Sequence, residues 1–152
     1  MSETAGDVYV RWQGERAYEV SRSGAPPMII DGNRAKGPGP VEALLASLAS
    51  CSAIDVVDYM EKRRTPVTRL DIRLSAVRAP SPPRRVLSAL LEFTVDGDGI
   101  DRVHGERSIA LALGTYCSVA ATLAAADVAL STRLVLNGVA GADVSHTSRR
   151  GA

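Results

Sequence analysis

The sequence has few residues of the types that carry specialised chemistry: among 152 residues there are two cysteines, two histidines, one tryptophan and one phenylalanine. His104 and His146 have no Cys or His companion at metal-ligand spacing, which argues against a structural zinc site. The sequence also has no large excess of positive or negative charge, because 18 basic side chains are balanced by 17 acidic ones. The resulting net charge of +1 argues against a nucleic-acid or membrane partner held by long-range electrostatics.

No targeting signal is expected either. The segment Met1–Val8 has no basic region followed by an apolar core, so no secretory signal is expected. No run of about 18 uncharged apolar residues is apparent, so no membrane span is predicted. A cytoplasmic location is the expectation that follows. Because a permanent disulfide is unusual in a reducing cytosol, the two cysteines are interpreted as reactive groups or as small buried residues.

Two glycine-rich segments resemble ligand loops only superficially. Gly37–Pro40 is not followed by the Gly-Lys-Ser/Thr of a phosphate-binding loop. Asp96–Gly99 begins like a calcium loop but lacks the later ligands, and is interpreted as a turn. The sequence therefore predicts no cofactor and no metal.

The composition suits one ordinary domain, since 45% apolar residues in a chain of this length can bury a core without metals or structural disulfides. We predict a single domain over residues 1–138 and a disordered polar tail over residues 139–152.

The periodicity predicts an α+β fold with the order β-β-β-α-β-β-α-β, in which antiparallel sheets flank two apolar helices. Asp101 is expected to cap the start of the second helical region, and Gly114 to interrupt it. The predicted elements are strands at Val8–Trp12, Ala17–Val20 and Met28–Ile30, a helix from about Val41 to Arg64, strands at Leu70–Ala76 and Leu87–Val95, helical pieces from Asp101 to Leu113 and from Tyr116 to Ala126, and a strand at Val128–Leu136.

The long first helix carries one of the two cysteines, and its first half is apolar on nearly every side. A helix of this kind is buried within a core or against another subunit. Cys51 and Cys117 both lie among small apolar residues, so another helix could approach each of them closely. If they meet in space they can exchange between dithiol and disulfide. The alternative is that both are inert buried residues, as cysteines often are.

The residues around the cysteines resemble a known family. A Pro-x-Glu-x-Leu-Leu sequence at Pro40–Leu45 leads into Cys51-Ser-Ala-Ile-Asp-Val-Val57, and later come Lys62-Arg-Arg64 and Tyr116-Cys-Ser-Val119. Together they are similar to the OsmC/Ohr family, the osmotically induced and organic-hydroperoxide-resistance proteins, over roughly Val8 to Asn137. Within the family the chain resembles the YhfA-like subgroup.

The resemblance implies an intertwined homodimer that acts as a thiol-dependent peroxidase. Cys51 would be the peroxidatic cysteine, and Cys117 the resolving cysteine. The implied partners are a second copy of the chain, a small organic hydroperoxide and a small-molecule or protein dithiol that returns the disulfide to thiols. Two alternatives remain: a non-catalytic dimer that binds a small apolar ligand near Cys51, and a dimer that senses oxidation.

The family's peroxidases carry an Arg and Glu pair beside the reactive sulfur, and the chain departs from that pattern. The family's Glu position is Val41 here, and Glu42, nine residues before Cys51, is expected on the opposite side of the helix. Glu42 is therefore interpreted as a first-turn carboxylate that the helix dipole favours. The candidates for the activating arginine are Arg11, Arg16, Arg22 and Arg34.

The sequence also predicts the acidity of the two thiols. Cys117 is expected near a helix start, where free N–H groups favour a thiolate. Asp55, four residues after Cys51, is expected to raise the pKa of the Cys51 thiol.

Overall fold

The computed structural model describes residue 2 and residues 5–146, and over them the predicted α+β element order is confirmed. The elements are β1 (Tyr9–Trp12), β2 (Ala17–Ser21), β3 (Met28–Asp31), α1 (Pro40–Lys62), β4 (Arg69–Arg78), β5 (Val86–Asp96), α2 (Arg102–Leu111), a π-helix (Ala112–Tyr116), α3 (Ser118–Ala125), β6 (Ala129–Leu136), β7 (Val139–Ala140) and β8 (Val144–His146). The chain divides into two compact units with the boundary between Leu45 and Ala46. The single domain expected over residues 1–138 stays a prediction.

The first unit contains a three-stranded antiparallel sheet in the order β1-β2-β3. Aromatic and β-branched residues pair across β1 and β2, with Trp12 opposite Tyr18 and Val10 opposite Val20. The hairpin turns at Gly14, whose φ of 104° is a backbone conformation that glycine adopts without a steric penalty. Every residue of β1 is exposed.

A buried carboxylate organises the loop that leads from β3 to α1. Asp31 is 3% exposed, and its side chain accepts hydrogen bonds from the backbone N–H groups of Asn33 (2.8 Å), Lys36 (3.0 Å) and Ala35 (3.1 Å). The Asn33 N–H lowers the pKa of the Asp31 carboxyl, and the Lys36 and Ala35 groups also lower it, while burial raises it. The net effect is a lowered pKa. The ionised carboxylate therefore supplies acceptors to a loop whose own backbone forms no ladder.

The second unit contains the sheet that holds most of the core. Its order is β4-β5-β6-β7, with β8 also paired to β6. The central strand β5 alternates buried and half-buried side chains, and Leu91, Phe93 and Val95 are at most 2% exposed. Strand β4 pairs with β5 antiparallel, but β5 pairs with β6 in parallel, with Phe93 opposite Leu134.

The expectation of purely antiparallel sheets is therefore wrong for the β5–β6 pair. The physical reason is the connection between the two strands. The segment from Arg102 to Ala125 forms helices, and a helical crossover of this length returns the chain to the same end of the sheet, whereas a tight hairpin would reverse it.

The expectation of disorder from residue 139 onward is also wrong for residues 139–146. These residues form β7 and β8, both antiparallel to β6. Asn137 and Gly138, with φ of 46° and 82°, make the turn into β7, and two positive φ values at an Asn-Gly pair are typical of a type I′ hairpin. Asn137 also accepts a 3.0 Å hydrogen bond from the Gly97 N–H. Residues 147–152 lie outside the described residues.

Helix α1 buries one narrow stripe. Leu48, Ser52, Val56 and Met60, each four residues apart, are at most 1% exposed. On another face Ile54 is 63% exposed.

Helix α1 is also long and apolar enough to pass as a membrane span by length and composition. Its most apolar 18-residue window has a mean hydropathy of 1.5, and 22% of that window is buried within the chain. This criterion allows two charged residues in the window, and α1 contains Asp55 and Asp58, so the expectation that no uncharged run of about 18 residues exists is not contradicted. Core helices of soluble proteins pass the same criterion.

Candidate active site

A break in the second helical region sets up the candidate active site. Helix α2 begins as predicted at Asp101, whose carboxylate accepts the His104 N–H at 2.9 Å. After Leu111 the helix widens into the π-helix, which ends when the Cys117 N–H donates to the Ala112 carbonyl at 2.8 Å, five residues back. Cys117 itself is extended, with φ −70° and ψ 107°, and α3 then leaves at a bend of 65°. Such π-turns are frequent at functional sites.

The bend brings the start of α3 against α1, so that the two cysteines, 66 positions apart in the chain (117 − 51), face each other. Their sulfur atoms interact through a hydrogen bond, and both are free thiols. Cys51 is half-buried, whereas Cys117 is 2% exposed. The structure therefore brings together the two residues that the sequence selected as the reactive pair.

Cys51 is surrounded by hydrogen-bond donors. Burial raises the pKa of its thiol, but hydrogen bonds with the Cys117 thiol, the Val119 N–H, and the Ser118 hydroxyl and N–H lower it, and the net effect is a lowered pKa. Asp55 is not among these principal interactions, so the expected rise in the Cys51 pKa is wrong. The N–H groups at the start of α3 act on Cys51 across the interface between the helices.

Cys117 has the opposite environment. Burial raises the pKa of its thiol to about 11, the hydrogen bond with Cys51 adds to the rise, and the Ala120 N–H opposes it. The sulfur caps α3 by accepting the Ala120 N–H at 3.3 Å. The expectation that a helix start would favour the Cys117 thiolate is therefore wrong, because burial and the hydrogen bond with Cys51 outweigh the N–H groups of Ala120 and Val119.

Glu42 serves the start of α1. Its carboxylate accepts the Gly39 N–H at 2.7 Å, which is the reciprocal bond of a capping box, and it forms an ion pair with Arg34 at 2.7 Å. The Gly39 N–H lowers the pKa of the Glu42 carboxyl most, burial raises it, and the Arg34 charge lowers it further. The interpretation of Glu42 as a first-turn carboxylate agrees with these contacts.

The four candidates for the activating arginine have neighbours other than Cys51. Arg34 is the partner of Glu42, and Arg11 lies opposite Glu19 in the β1–β2 register. Arg16 lies beside Gly32, and Arg22 beside Gly6. None of the principal interactions of Cys51 involves an arginine or Glu42.

Two cavities in the second unit lie beside His146, a residue that the sequence did not select. Their volumes are about 410 and 250 Å³, and neither is lined by a cysteine. The His146 Nε2 lies 2.8 Å from the Thr132 hydroxyl, and burial lowers the pKa of the imidazole. Within residue 2 and residues 5–146, no group of three or more His, Cys, Asp or Glu side chains could hold a metal ion.

Comparison with known proteins places this chain in a family. Residues 32–132 match the family described as OsmC-like protein. The chain belongs to the OsmC family. Protein YhfA of Escherichia coli K12 is 31% identical over 115 residues, which cover 75% of this chain and 86% of YhfA. The predicted resemblance is confirmed.

Solved structures share the OsmC fold. A hypothetical protein from Aquifex aeolicus VF5 superimposes with a TM-score of 0.76 at 23% identity, covering 89% of this chain and 99% of its own. The OsmC-like protein from Mycoplasma pneumoniae gives 0.76 at 15% identity over the same shares. The organic hydroperoxide resistance protein OhrB of Bacillus subtilis gives 0.58 at 15% identity, covering 86% and 98%.

The opposite thiol environments predict selective alkylation. Iodoacetamide at pH 8 should label Cys51 and leave Cys117 unmodified, because a thiol of pKa about 11 is a thiolate in only about one molecule per thousand at that pH. Peptide mass mapping after brief labelling measures both sites. Denatured protein, in which both cysteines should label, is the control. Equal labelling of the two sites in the folded chain would contradict the assignment.

The Glu42 contacts predict a pH-dependent loss of stability. Glu42→Gln removes the ionic part of the cap, so the urea midpoint should fall at pH 7. The pKa of the Glu42 carboxyl in the folded protein lies below its unfolded value of about 4.5. The difference in urea midpoint between the parent protein and Glu42→Gln should therefore be present above pH 4.5 and shrink as the pH falls further. Glu61→Gln, in the exposed last turn of α1, is the matched control and should show no loss. A pH-independent difference would mean that the ion pair contributes nothing.

Proposed function

We propose that the protein is a thiol-dependent peroxidase that reduces organic hydroperoxides through a Cys51–Cys117 dithiol-disulfide cycle. The observation that carries the proposal is the contact between two free thiols of opposite acidity, one half-buried with a lowered pKa and one buried with a raised pKa. A peroxidatic thiol must be a thiolate, and a resolving thiol must wait beside it.

In the first step the Cys51 thiolate attacks the distal oxygen of the hydroperoxide. A sulfur–oxygen bond forms, the oxygen–oxygen bond breaks, and the alkoxide leaves with the bonding electron pair. The alkoxide takes up a proton from solvent, which balances the proton that Cys51 released, and becomes the alcohol. Cys51 is then a sulfenic acid.

In the second step the Cys117 sulfur attacks the sulfenic sulfur. A disulfide forms, and the hydroxyl group leaves as water with the Cys117 proton. An external dithiol then reduces the disulfide by exchange and regenerates both thiols. In total one hydroperoxide and two thiols give one alcohol, one water and one disulfide.

The burial of the two sulfurs supports this order of events. Cys51 is the more accessible sulfur, so a peroxide reaches it first, while Cys117 is 2% exposed and reacts only with its neighbour. Because Cys117 stays protonated at neutral pH, it donates a hydrogen bond to the Cys51 thiolate and does not compete with it for the peroxide.

A homodimer in the cytoplasm is part of the proposal. The apolar helix α1 has only 22% of its most apolar window buried within the chain, and Ile54 is 63% exposed. A contiguous apolar surface on a globular chain marks an interaction site. A second copy of the chain is the occupant that the family resemblance implies.

The peroxidase proposal predicts repeated turnover of cumene hydroperoxide with dithiothreitol as the reductant. Cys51→Ser should abolish turnover, since no thiolate remains to attack the peroxide. With dithiothreitol left out, Cys117→Ser should consume one equivalent of peroxide and accumulate a sulfenic acid that dimedone traps on Cys51. Peroxide consumption and mass spectrometry measure these outcomes.

The same assay distinguishes the alternatives. One disulfide per chain without repeated consumption would indicate an oxidation sensor, and two unmodified thiols would indicate a binding protein. Either result contradicts the peroxidase.

The dimer proposal predicts that Ile54→Glu weakens self-association by at least about 30-fold, because a charged side chain would replace an apolar one that the proposed dimer interface buries. Sedimentation equilibrium measures the dissociation constant. Val77→Glu is the matched control, since Val77 is 59% exposed on β4. A monomeric parent protein, or equal weakening by both variants, would overturn the role given to α1.

A further inference from the structure

The smaller of the two cavities beside His146, about 250 Å³, lies between helix α2 and the edge of the second sheet. Thr132 of β6 and Val144 of β8 line it from the sheet. These two residues pair directly opposite each other, so their side chains leave the sheet on the same face. Ile109 and Ala110 line the cavity from α2. The cavity lies wholly within the second unit.

The wall of this cavity at Ala142 is held from both sides. The Gly141 N–H donates to the Leu134 carbonyl at 2.8 Å, and the Asp143 carboxylate forms an ion pair with Arg133 at 2.6 Å. Ala142 lies between these two anchored residues and lines the cavity. Hydrogen bonds within the protein therefore fix the shape of the cavity, as is usual for sites that bind small molecules.

Most of the polar side chains that line the cavity have partners within the protein. The Thr132 hydroxyl and the His146 Nε2 lie 2.8 Å apart, so they satisfy each other. The Glu106 carboxylate forms an ion pair with Arg102 at 3.4 Å. Over the described part of the chain, no acidic side chain forms an ion pair with Arg107, which is the other charged residue of the lining. The Arg107 guanidinium is therefore available to a ligand.

The charges of the lining favour an anion with a single negative charge. Arg107 is exposed, which places its guanidinium at the open side of the cavity, and a guanidinium binds a carboxylate through two parallel hydrogen bonds. Burial lowers the pKa of the His146 imidazole, so at neutral pH it adds no second positive charge. Glu106 in the same lining would repel a doubly charged anion more strongly than a singly charged one.

The remainder of the lining is apolar and favours a small apolar body on the ligand. Its members are Ile109, Ala110, Leu134, Ala142 and Val144. A volume of about 250 Å³ is below the range that holds drug-sized molecules, so the ligand has about the size of one aromatic ring.

We propose that this cavity binds a small monocarboxylate with an apolar body, such as an aromatic or a branched aliphatic acid, whose carboxylate pairs with Arg107. The apolar body packs between α2 and the β6–β8 edge of the sheet. This proposal does not rest on the peroxidase, because neither cysteine lines the cavity.

The test uses benzoate as the probe and follows the backbone amide signals of the isotope-labelled full-length protein by NMR at pH 7. Benzoate should shift the signals of Ala110, Ala142 and Val144 saturably, with a dissociation constant of about 1 mM or lower. Benzamide has the same ring without the charge, so it should bind at least about ten-fold more weakly. Inorganic phosphate, which lacks an apolar body, should give no saturable shift of these signals.

Three results would overturn the proposal. The first is the absence of a saturable shift with benzoate up to about 10 mM. The second is benzamide binding as tightly as benzoate, which would show that the charge is not recognised. The third is phosphate binding as tightly as benzoate, which would show that the apolar lining contributes nothing.

Variants of the lining locate the binding. Arg107→Gln should raise the dissociation constant of benzoate at least about ten-fold, because it removes the charged partner. Arg84→Gln is the matched control, since it removes the same charge from an exposed arginine of the same unit that does not line the cavity. It should leave the constant unchanged. Equal weakening by both variants would mean non-specific attraction and overturn the site.

A second variant tests the apolar part with Arg107 in place. Ala110 is exposed on α2, so Ala110→Leu leaves the core intact while its larger side chain occupies the cavity. Benzoate binding should weaken at least about ten-fold, and thermal unfolding confirms that the variant is folded. Unchanged benzoate affinity in folded Ala110→Leu would place the ligand elsewhere and overturn the proposal.

Discussion

The approach of the first residues of α3 to the sulfur of Cys51 is the contact on which the chemistry of this protein depends. Three local features produce it: a π-helix that ends at Tyr116, an extended Cys117, and a bend of 65° between the helical segments. A continuous helix would have used its N–H groups within its own ladder. The break frees the N–H groups of Ser118 and Val119 to act on another helix.

The same contact gives the two thiols different properties. Cys51 accepts several donors at a half-buried position, so its thiolate is favoured. Cys117 lies one residue before the donors and deeper in the core, so burial dominates and its thiol stays protonated. The lowered pKa of Cys51 favours the thiolate, which is the nucleophilic form of a cysteine.

Glu42 and Arg34, which the family resemblance singled out, stabilise the backbone in this chain. Glu42 closes the capping box at the start of α1, and Arg34 holds its carboxylate. Together with Asp31, which accepts three backbone N–H groups, they stabilise the loop that precedes the helix. The chain therefore keeps an Arg–Glu pair whose observed contacts organise the backbone of the loop and of the first helical turn.

Local patterns were sufficient for most of the fold. Alternation predicted β4 and β5 to within two residues at each end, the absence of Gly and Pro predicted α1, and Asp101 was recognised as a helix cap. The strands β7 and β8 were missed although Asn137-Gly138 is a hairpin signal, because both strands are very short and residues 139–146 show no sustained alternation of apolar and polar side chains. The parallel pairing of β6 with β5 was missed because alternation indicates a strand but not its direction.

By itself the sequence determined most of the elements, the family and the choice of two cysteines, since these follow from residue identity and short-range spacing. The acidity of each cysteine was decided by the tertiary structure, which reversed the expectation for both. A thiol pKa depends on burial and on donors within a few ångströms, and for Cys51 these donors come from a helix more than 60 residues away in the chain. No pattern local to either cysteine contains that information.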